Sequence, residues 1–205
     1  MKFLRSHWYD LGLGFAAVIG AALLTFHPRG LSLVLWISLA SLLLHQFEEY
    51  RFPGTFPGMT NRVMFASTEP DRYPLNSNTA LIVNLSVGWL VYLLAAIFGT
   101  VAVWLGIAAI LVSVGNFIAH TFLFNIRGKT LYNSGMLTAI ALFLPISGYF
   151  FYFVVMNQIA TSVDWVVGLL LGAALNYFGV LKVIDLLKDR NTAYAFPPRN
   201  VRRLI

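Results

Sequence analysis

The sequence predicts an all-α protein, a polytopic membrane bundle of about six transmembrane helices. Hydrophobic residues make up 59% of the chain and charged residues only 11%, whereas about a quarter of the residues in a soluble domain are charged. Six apolar stretches are long enough to cross a hydrocarbon core of about 30 Å, which takes roughly 20 helical residues. Helices are expected because a backbone in lipid must satisfy its own hydrogen bonds, and the stretches lack the alternation of barrel strands.

The predicted helices form a single domain and are joined by two very short links. The link at 27–30 contains a proline and a glycine, and only Gly99-Thr100 separates the third and fourth stretches. Such links make antiparallel neighbours. The loop at 51–78 contains two Pro-Gly turns, so it either covers a site at the end of the second helix or only connects two spans. The spans are expected at 9–26, 31–50, 79–98, 101–124, 134–156 and 163–187, followed by a basic tail at 188–205.

The basic residues predict how the bundle is oriented. If the N-terminus is cytoplasmic, Arg29 is the one residue among the 14 lysines and arginines that lies on the outer side, as the positive-inside rule expects. We therefore expect both termini in the cytoplasm, in a multi-pass protein of a prokaryotic plasma membrane. A net charge of +6 would indicate nucleic acid in a soluble protein, but here it follows from membrane orientation, and no nucleic-acid partner is expected. The tail is expected to lie against anionic lipid.

A histidine and two carboxylates lie on the last turns of the second predicted helix, in the sequence His45-Gln46-Phe47-Glu48-Glu49. Ionisable side chains at membrane depth cost roughly 2.5–3.5 kcal/mol each, so they need a compensating partner. His45 and Glu49, four residues apart, share a helix face and can converge on one ion. Glu48 points to the other side, where it can act as an acid or base, orient a ligand or serve a second ion. The alternative is that the two carboxylates are hydrated at the membrane boundary.

Further polar residues are expected at a similar depth on the other helices. Asn116 and His120 repeat the four-residue spacing on the fourth helix, although taken alone these two residues are better explained by hydrogen bonds between helices. Two histidines and one carboxylate suffice for a zinc site with an open position or for a non-haem iron site. The chain has no cysteine, so thiolate ligands are excluded. The remaining polar residues at this depth are Asn84, Tyr132 and Asn176. Asn176 follows Gly172 by four residues and Gly168 by eight, so all three share one helix face.

His45-Gln46-Phe47-Glu48-Glu49 resembles the motif of the HXXEE family, a group of small membrane proteins without a firmly assigned function. The family also has an Asn-x-x-x-His element, which Asn116–His120 matches, and a Tyr-x-Pro-Gly element. Residues 132–135 resemble the second element, with Ser134 in place of proline, which weakens the tight turn expected there. The resemblance covers about residues 30–185. It implies a membrane enzyme with histidine and glutamate as candidate ligands, and it implies no particular substrate.

Together these features predict a metal-dependent membrane enzyme that acts on a membrane lipid or another apolar small molecule from the cytoplasmic leaflet. A bound zinc ion would make it a hydrolase and a bound iron an oxidoreductase. The predicted metal ligands are His45, Glu49, His120 and Asn116. Glu48 is the predicted general acid or base, and the supporting or substrate-binding residues are Asn84, Tyr132 and Asn176.

Two other functions are consistent with the same residues. A metal-independent acid–base enzyme of the isomerase type would use His45, Glu48 and Glu49 to move protons on a lipid, and its activity would survive chelators. A small transporter, or a protein that binds a lipid or a metal ion, is the third possibility. Transporters usually show internal repeats and a site near the membrane midplane, and the sequence shows no repeat.

Overall fold

Six long helices build the protein. The computed structural model describes residues 2–202, with the Lys2 side chain left out, and this part of the chain is helical or irregular without a strand. Each long helix is long and apolar enough to cross a membrane, so the predicted all-α class with six spans is confirmed. The helices are α1 Lys2–Phe26, α2 Gly30–Tyr50, α3 Ser77–Phe98, α4 Val103–Gly128, α5 Met136–Met156 and α6 Ser162–Leu186.

Polar caps set several helix ends that differ by a few residues from the predicted bounds. The Asn76 side chain accepts hydrogen bonds from the first amides of α3, which therefore begins before residue 79. Thr161 and Asp164 form a reciprocal capping box at the start of α6. Both devices satisfy amides that a helix start leaves without partners. Helix α1 begins well before the predicted residue 9, because the polar residues that precede the apolar stretch are also helical.

Helix α2 lies at the centre of the bundle. In its most apolar stretch 56% of the residues are buried, against 17% in α1 and in α6. It packs against α1, α3 and α5, while α4 packs against α3, α5 and α6. A polar side chain near the end of α2 therefore faces other helices. The nearly inaccessible core residues include Leu35, Leu39, Ile107, Ile110, Phe143 and Phe150.

Helices α4 and α6 approach each other closely along a line of glycines. A Cβ atom added at Gly168 would lie 2.6 Å from Cβ of Ile107, and one at Gly172 would lie 2.7 Å from Cβ of Leu111. Small residues four apart allow this close packing. One turn further on, Asn176 Nδ2 donates to the carbonyls of Leu111 and Gly172.

Four of the long helices contain a wider, π-helical segment. These segments are Asn84–Leu90 in α3, Ala119–Leu123 in α4, Ala139–Phe143 in α5 and Leu175–Lys182 in α6. A π segment changes the direction of the side chains that follow it, and such segments are frequent at functional sites. His120 lies within the segment of α4, so its direction does not follow from a spacing of 3.6 residues per turn.

The loop after α2, the start of α1 and the C-terminal tail lie together at one end of the bundle. Asn200 Nδ2 donates to the carbonyl oxygens of Tyr50 and Gly54, the first at 2.9 Å, and Arg199 donates to the hydroxyl of Tyr9. Phe196 and Asn200 of the tail are thus buried on protein, and the contact of the tail with anionic lipid stays a prediction. The tail residues 203–205, with the basic Arg203, lie outside the described part of the chain. The orientation of this end toward the cytoplasm stays a prediction.

Candidate metal centre

Three ionisable side chains from two helices meet in the interior, next to the end of α2. His45 and Glu49 come from successive turns of α2, and His120 comes from α4. Glu49 Oε1 lies 3.6 Å from Nε2 of His45 and 3.2 Å from Nε2 of His120. One ligand atom from each residue lies within 4.8 Å of the others. All three residues are buried, and together they are a group that could hold a metal ion, which we call the triad.

A hydrogen bond on the far side of the His45 ring fixes which of its nitrogens faces the triad. Nδ1 of His45 lies 2.8 Å from the Thr138 hydroxyl oxygen. The Thr138 hydroxyl has one proton, and it donates this proton to Glu48 Oε2 at 2.5 Å. Toward His45 the hydroxyl must therefore accept, so Nδ1 carries the ring proton and Nε2 presents a lone pair.

The second imidazole is held in the same way by an amide. Nδ1 of His120 lies 2.7 Å from Asn133 Oδ1. Nδ2 of Asn133 donates to the His120 carbonyl at 2.7 Å and to Asn125 Oδ1 at 2.8 Å. The amide orientation is thus set, and Oδ1 must accept the Nδ1 proton of His120. Nε2 of this ring also presents a lone pair to Glu49. Histidine ligands of metals are usually oriented by such a bond to the other nitrogen.

The donor set fits a divalent cation. The Nε2 atoms of His45 and His120 are buried and make no hydrogen bond within residues 2–202, and leaving one such group unpartnered costs about 1–3 kcal/mol. Ligands bound about 2.0–2.2 Å from a tetrahedral ion lie about 3.4 Å apart, and the two separations from Glu49, 3.2 and 3.6 Å, bracket this value. Two imidazoles and one carboxylate match a zinc site with an open position, or a non-haem iron site.

Glu48 turns away from the triad and holds the start of α5. Its Oε1 accepts from the Tyr132 hydroxyl at 2.8 Å and from the Leu137 amide at 3.1 Å. Its Oε2 accepts from the amide and the hydroxyl of Thr138 at 2.8 and 2.5 Å. A carboxylate at a helix N-terminus satisfies first-turn amides and is favoured by the helix dipole. Through Thr138, Glu48 also orients His45. Its role as general acid or base stays a prediction.

The turn before α5 brings the backbone against both imidazoles. Gly135 has a φ of 104°, which favours glycine. A Cβ atom there would lie 2.6 Å from Nδ1 of His120, in contact with its Cε1, and 3.0 Å from Cε1 of His45. Ser134, found where the resemblance predicts proline, does not prevent the turn. Its buried hydroxyl instead accepts a hydrogen bond from the Thr55 amide and forms a second one with the Thr55 hydroxyl. These two bonds connect the turn to the loop after α2.

Aromatic rings enclose the imidazoles. Phe143 packs on His45 with ring centroids 4.6 Å apart. Phe56 and Phe124 pack on His120 at 5.3 and 5.1 Å. Phe56 belongs to the short helix Phe56–Met59 in the loop after α2. Of the two roles predicted for this loop, the structure therefore shows one that covers the site.

A cavity of about 80 Å³ lies beside the triad and is lined by both polar and apolar side chains. Asn116 faces it and donates to the Val112 carbonyl at 2.9 Å. Asn84 also faces it, and its side-chain oxygen accepts from Gln46 at 2.9 Å. Gln46 in turn accepts from Trp89 at 2.7 Å. Gln46, which follows His45 on α2, thus anchors α3, a contact that was not predicted from the sequence.

The structure separates the predicted site residues into four groups. His45, Glu49 and His120 form the triad, and Asn116 and Asn84 line the cavity beside it. Tyr132 contacts Glu48, and Asn176 lies between α4 and α6, apart from the triad. Thr138, Asn133 and Gly135 also contact the site residues, and no role was predicted for them from the sequence. Asn133 and Gly135 belong to the family element at 132–135, and this membership could have indicated that they lie at the site. Nothing in the sequence distinguishes Thr138.

A family model described as a protein of unknown function with an HXXEE motif matches residues 36–150. The match is shorter than the range of 30–185 expected from the resemblance. It includes the whole triad, together with Glu48, Asn133 and Thr138, and it leaves out α1 and α6. No curated protein and no solved structure matches the chain.

Proposed function

The chain belongs to the family of proteins of unknown function with an HXXEE motif, and we propose that it is a metal-dependent membrane enzyme acting on a lipid or another apolar small molecule. The observation that carries this proposal is the pair of buried, unpartnered Nε2 atoms facing Glu49. Histidines placed only for packing would have their second nitrogen bonded, because an unpartnered buried polar atom is costly. Here the Nδ1 atoms are bonded and the Nε2 atoms are left for a ligand.

The residues around the triad prepare it for this role. Thr138 and Asn133 hold the two rings in one tautomer each, so both lone pairs are directed inward before an ion binds. Phe56, Phe124 and Phe143 exclude water from the ring faces, and a low local dielectric strengthens electrostatic interactions inside the site. A bound zinc ion would supply Lewis-acid activation of water for hydrolysis, and a bound iron would supply oxidation chemistry.

The cavity beside the triad indicates the part of the substrate that would react there. At about 80 Å³ it takes only a small group, and its walls combine the amides of Asn84 and Asn116 with the aliphatic side chains of Val83, Val180 and Ile184. An apolar molecule entering from the membrane would place one polar group against the amides. We propose that this occurs in the cytoplasmic leaflet of a prokaryotic plasma membrane, because the basic residues concentrate at the site's end of the bundle.

Metal content of purified protein tests the proposal. The chain has four histidines, and His7 and His27 are exposed while His45 and His120 are buried. We expect about one equivalent of zinc or iron in untagged wild-type protein, loss of it in His45→Ala and His120→Ala, and retention in His7→Ala and His27→Ala. Wild-type protein that takes up no stoichiometric metal when zinc or iron is supplied would overturn the metal site.

Lipid extracts distinguish the metal enzyme from the acid–base alternative. Membranes containing the wild-type protein should convert a lipid that membranes containing His120→Ala leave unchanged, and a chelator should stop this conversion. Conversion of the lipid that continues in metal-free protein would instead favour the metal-independent acid–base enzyme of the isomerase type.

A further inference from the structure

Tyr50, the residue that follows Glu49 on α2, also lines the cavity beside the triad. It is buried, and its ring packs against Trp8 and Phe56 with ring centroids 4.9 and 5.7 Å away. Close packing of this kind leaves a buried ring little freedom. The hydroxyl group at the end of the ring therefore has a fixed position, next to Asn84 on α3.

A chain of hydrogen bonds sets the direction of the Tyr50 hydroxyl. It begins at Trp89, whose indole nitrogen can only donate and lies 2.7 Å from Gln46 Oε1. This bond fixes the orientation of the Gln46 amide, so Nε2 of Gln46 donates to Asn84 Oδ1 at 2.9 Å. Asn84 Nδ2 in turn donates to the Ala80 carbonyl at 2.8 Å and to the Tyr50 oxygen at 3.3 Å. The Tyr50 oxygen is thus the acceptor at the end of this chain.

The proton of the Tyr50 hydroxyl consequently points away from Asn84. A phenol that accepts a hydrogen bond still has one proton to donate, and Asn84 is its one hydrogen-bond partner within residues 2–202. Asn84 itself has no proton left for a ligand, because both protons of Nδ2 are already donated. Of these two neighbours on the cavity wall, Tyr50 is therefore the one that can donate to a bound molecule.

The small size of the cavity places any bound group near both Tyr50 and the triad. Its volume is about 80 Å³, and one water molecule takes about 30 Å³ in the liquid. His45 and Glu49 line this cavity together with Tyr50. A group of a few atoms that fills it therefore lies within reach of a hydrogen-bond donor and of the candidate ligands.

A carbonyl group matches this combination. Its oxygen accepts hydrogen bonds and donates none, so it complements a donor whose direction is fixed. A metal ion held by the triad would polarise such a carbonyl. A donor that is already in place stabilises the negative charge that develops on the carbonyl oxygen. A bound hydrocarbon, by contrast, would leave the buried Tyr50 proton without an acceptor, which is costly.

We propose that Tyr50 donates a hydrogen bond to a carbonyl oxygen of the substrate, and that the substrate is a carbonyl compound such as a lipid ester. This inference rests on the proposed function and deepens it, because it names a substrate class and a residue that contacts the substrate. Tyr50 keeps its proton in this role. Asn84, Gln46 and Trp89 act through Tyr50 and are positioning residues.

Binding of small probes to cobalt-loaded protein tests the role of Tyr50. Cobalt(II) takes the same ligands as zinc, and its visible absorption bands change when a probe binds to it. Acetohydroxamic acid carries a carbonyl oxygen, whereas ethanethiol, the control probe, binds through sulfur and has none. We expect Tyr50→Phe to weaken acetohydroxamic acid binding about tenfold, as the loss of one buried hydrogen bond does, and to leave ethanethiol binding unchanged.

Tyr92→Phe is the matched control variant. Tyr92 is also buried, but its hydroxyl pairs with that of Ser113 at 2.6 Å, and neither residue lines the cavity. This variant should bind both probes as the wild type does. Both substitutions keep the aromatic ring, and cobalt content equal to that of the wild type verifies that the variants fold.

Several results would overturn the role of Tyr50. Unchanged acetohydroxamic acid binding in Tyr50→Phe would show that the hydroxyl does not contact the carbonyl, and an equal loss of ethanethiol binding would show a general change of the cavity. The same loss in Tyr92→Phe would show an effect of any buried hydroxyl. A lower cobalt content in Tyr50→Phe would assign the hydroxyl to the ion instead of the substrate. Wild-type protein that takes up no cobalt would overturn the proposed function itself, and the role of Tyr50 with it.

Discussion

At the scale of single residues, two neutral side chains decide what the triad can bind. The Thr138 hydroxyl and the Asn133 amide oxygen each accept a hydrogen bond from the Nδ1–H group of one histidine. Neither residue adds charge to the site. Their effect is to leave both Nε2 lone pairs facing Glu49, and a donor in place of either acceptor would reverse the tautomer of its histidine.

Gly135 gives a prediction at this scale. In Gly135→Ala the new methyl group would overlap the His120 ring and press on His45, at a φ that alanine rarely adopts. We expect the metal to be lost while the six helices remain. Metal analysis and circular dichroism of the purified variant check this. The matched control is Gly148→Ala, since no atom lies within 4 Å of a Cβ added at Gly148. Full metal content in both variants would contradict the close approach.

The triad could be predicted from sequence because ionisable residues are rare in apolar helices, and because His45 and Glu49 lie on one helix face at any depth. Thr138 could not be predicted, since threonines in membrane helices commonly bond their own backbone. Asn133 could not be assigned because its contact with His120 depends on how the link between α4 and α5 folds back. The partners of Glu48 could not be predicted for the same reason, since they lie on that link and at the start of α5.

At the scale of elements, the N-terminus of α5 depends on one carboxylate from α2. Glu48→Ala would leave the amides of Leu137 and Thr138 and two hydroxyl groups without their acceptor. Each unsatisfied buried group costs about 1–3 kcal/mol, so we expect the free energy of unfolding in detergent to fall by at least about 2 kcal/mol. Hydrogen exchange at residues 136–139 should become faster.

Glu69→Ala is the control for this measurement. It removes a carboxylate from a partly exposed pair with Arg190 and should change stability by less than about 1 kcal/mol. An unchanged stability of Glu48→Ala, together with lost activity, would favour the acid–base role predicted from sequence over the anchoring role.

The long helices could be predicted as elements because length and apolar composition are sufficient for that. The π segments could not. They insert a wider turn without a distinctive residue pattern, so a regular spacing predicts Asn116 and His120 on one face. In the structure His120 reaches the triad from within Ala119–Leu123, while Asn116 lines the neighbouring cavity. Both residues are near the site, but they have different contacts.

At the scale of the whole molecule, the orientation in the membrane can be tested with single cysteines, because the chain has none of its own. Thr68 in the loop and Ser162 at the start of α6 are both exposed. With the basic end in the cytoplasm, Ser162→Cys should react with a membrane-impermeant maleimide on intact cells. Thr68→Cys should react only after permeabilisation. The reverse pattern would place the candidate site on the outer face.

The contact of Asn200 with Tyr50 and Gly54 bears on how the protein is made. The segment that fastens the loop over His120 is synthesised after all six spans, whereas His45 and Glu49 leave the ribosome with the second. Until then the candidate ligands lie in an incompletely covered bundle, open to water and to any free cation nearby. Closure of the candidate site therefore follows the synthesis of residue 200, long after the candidate ligands on the second span have been made.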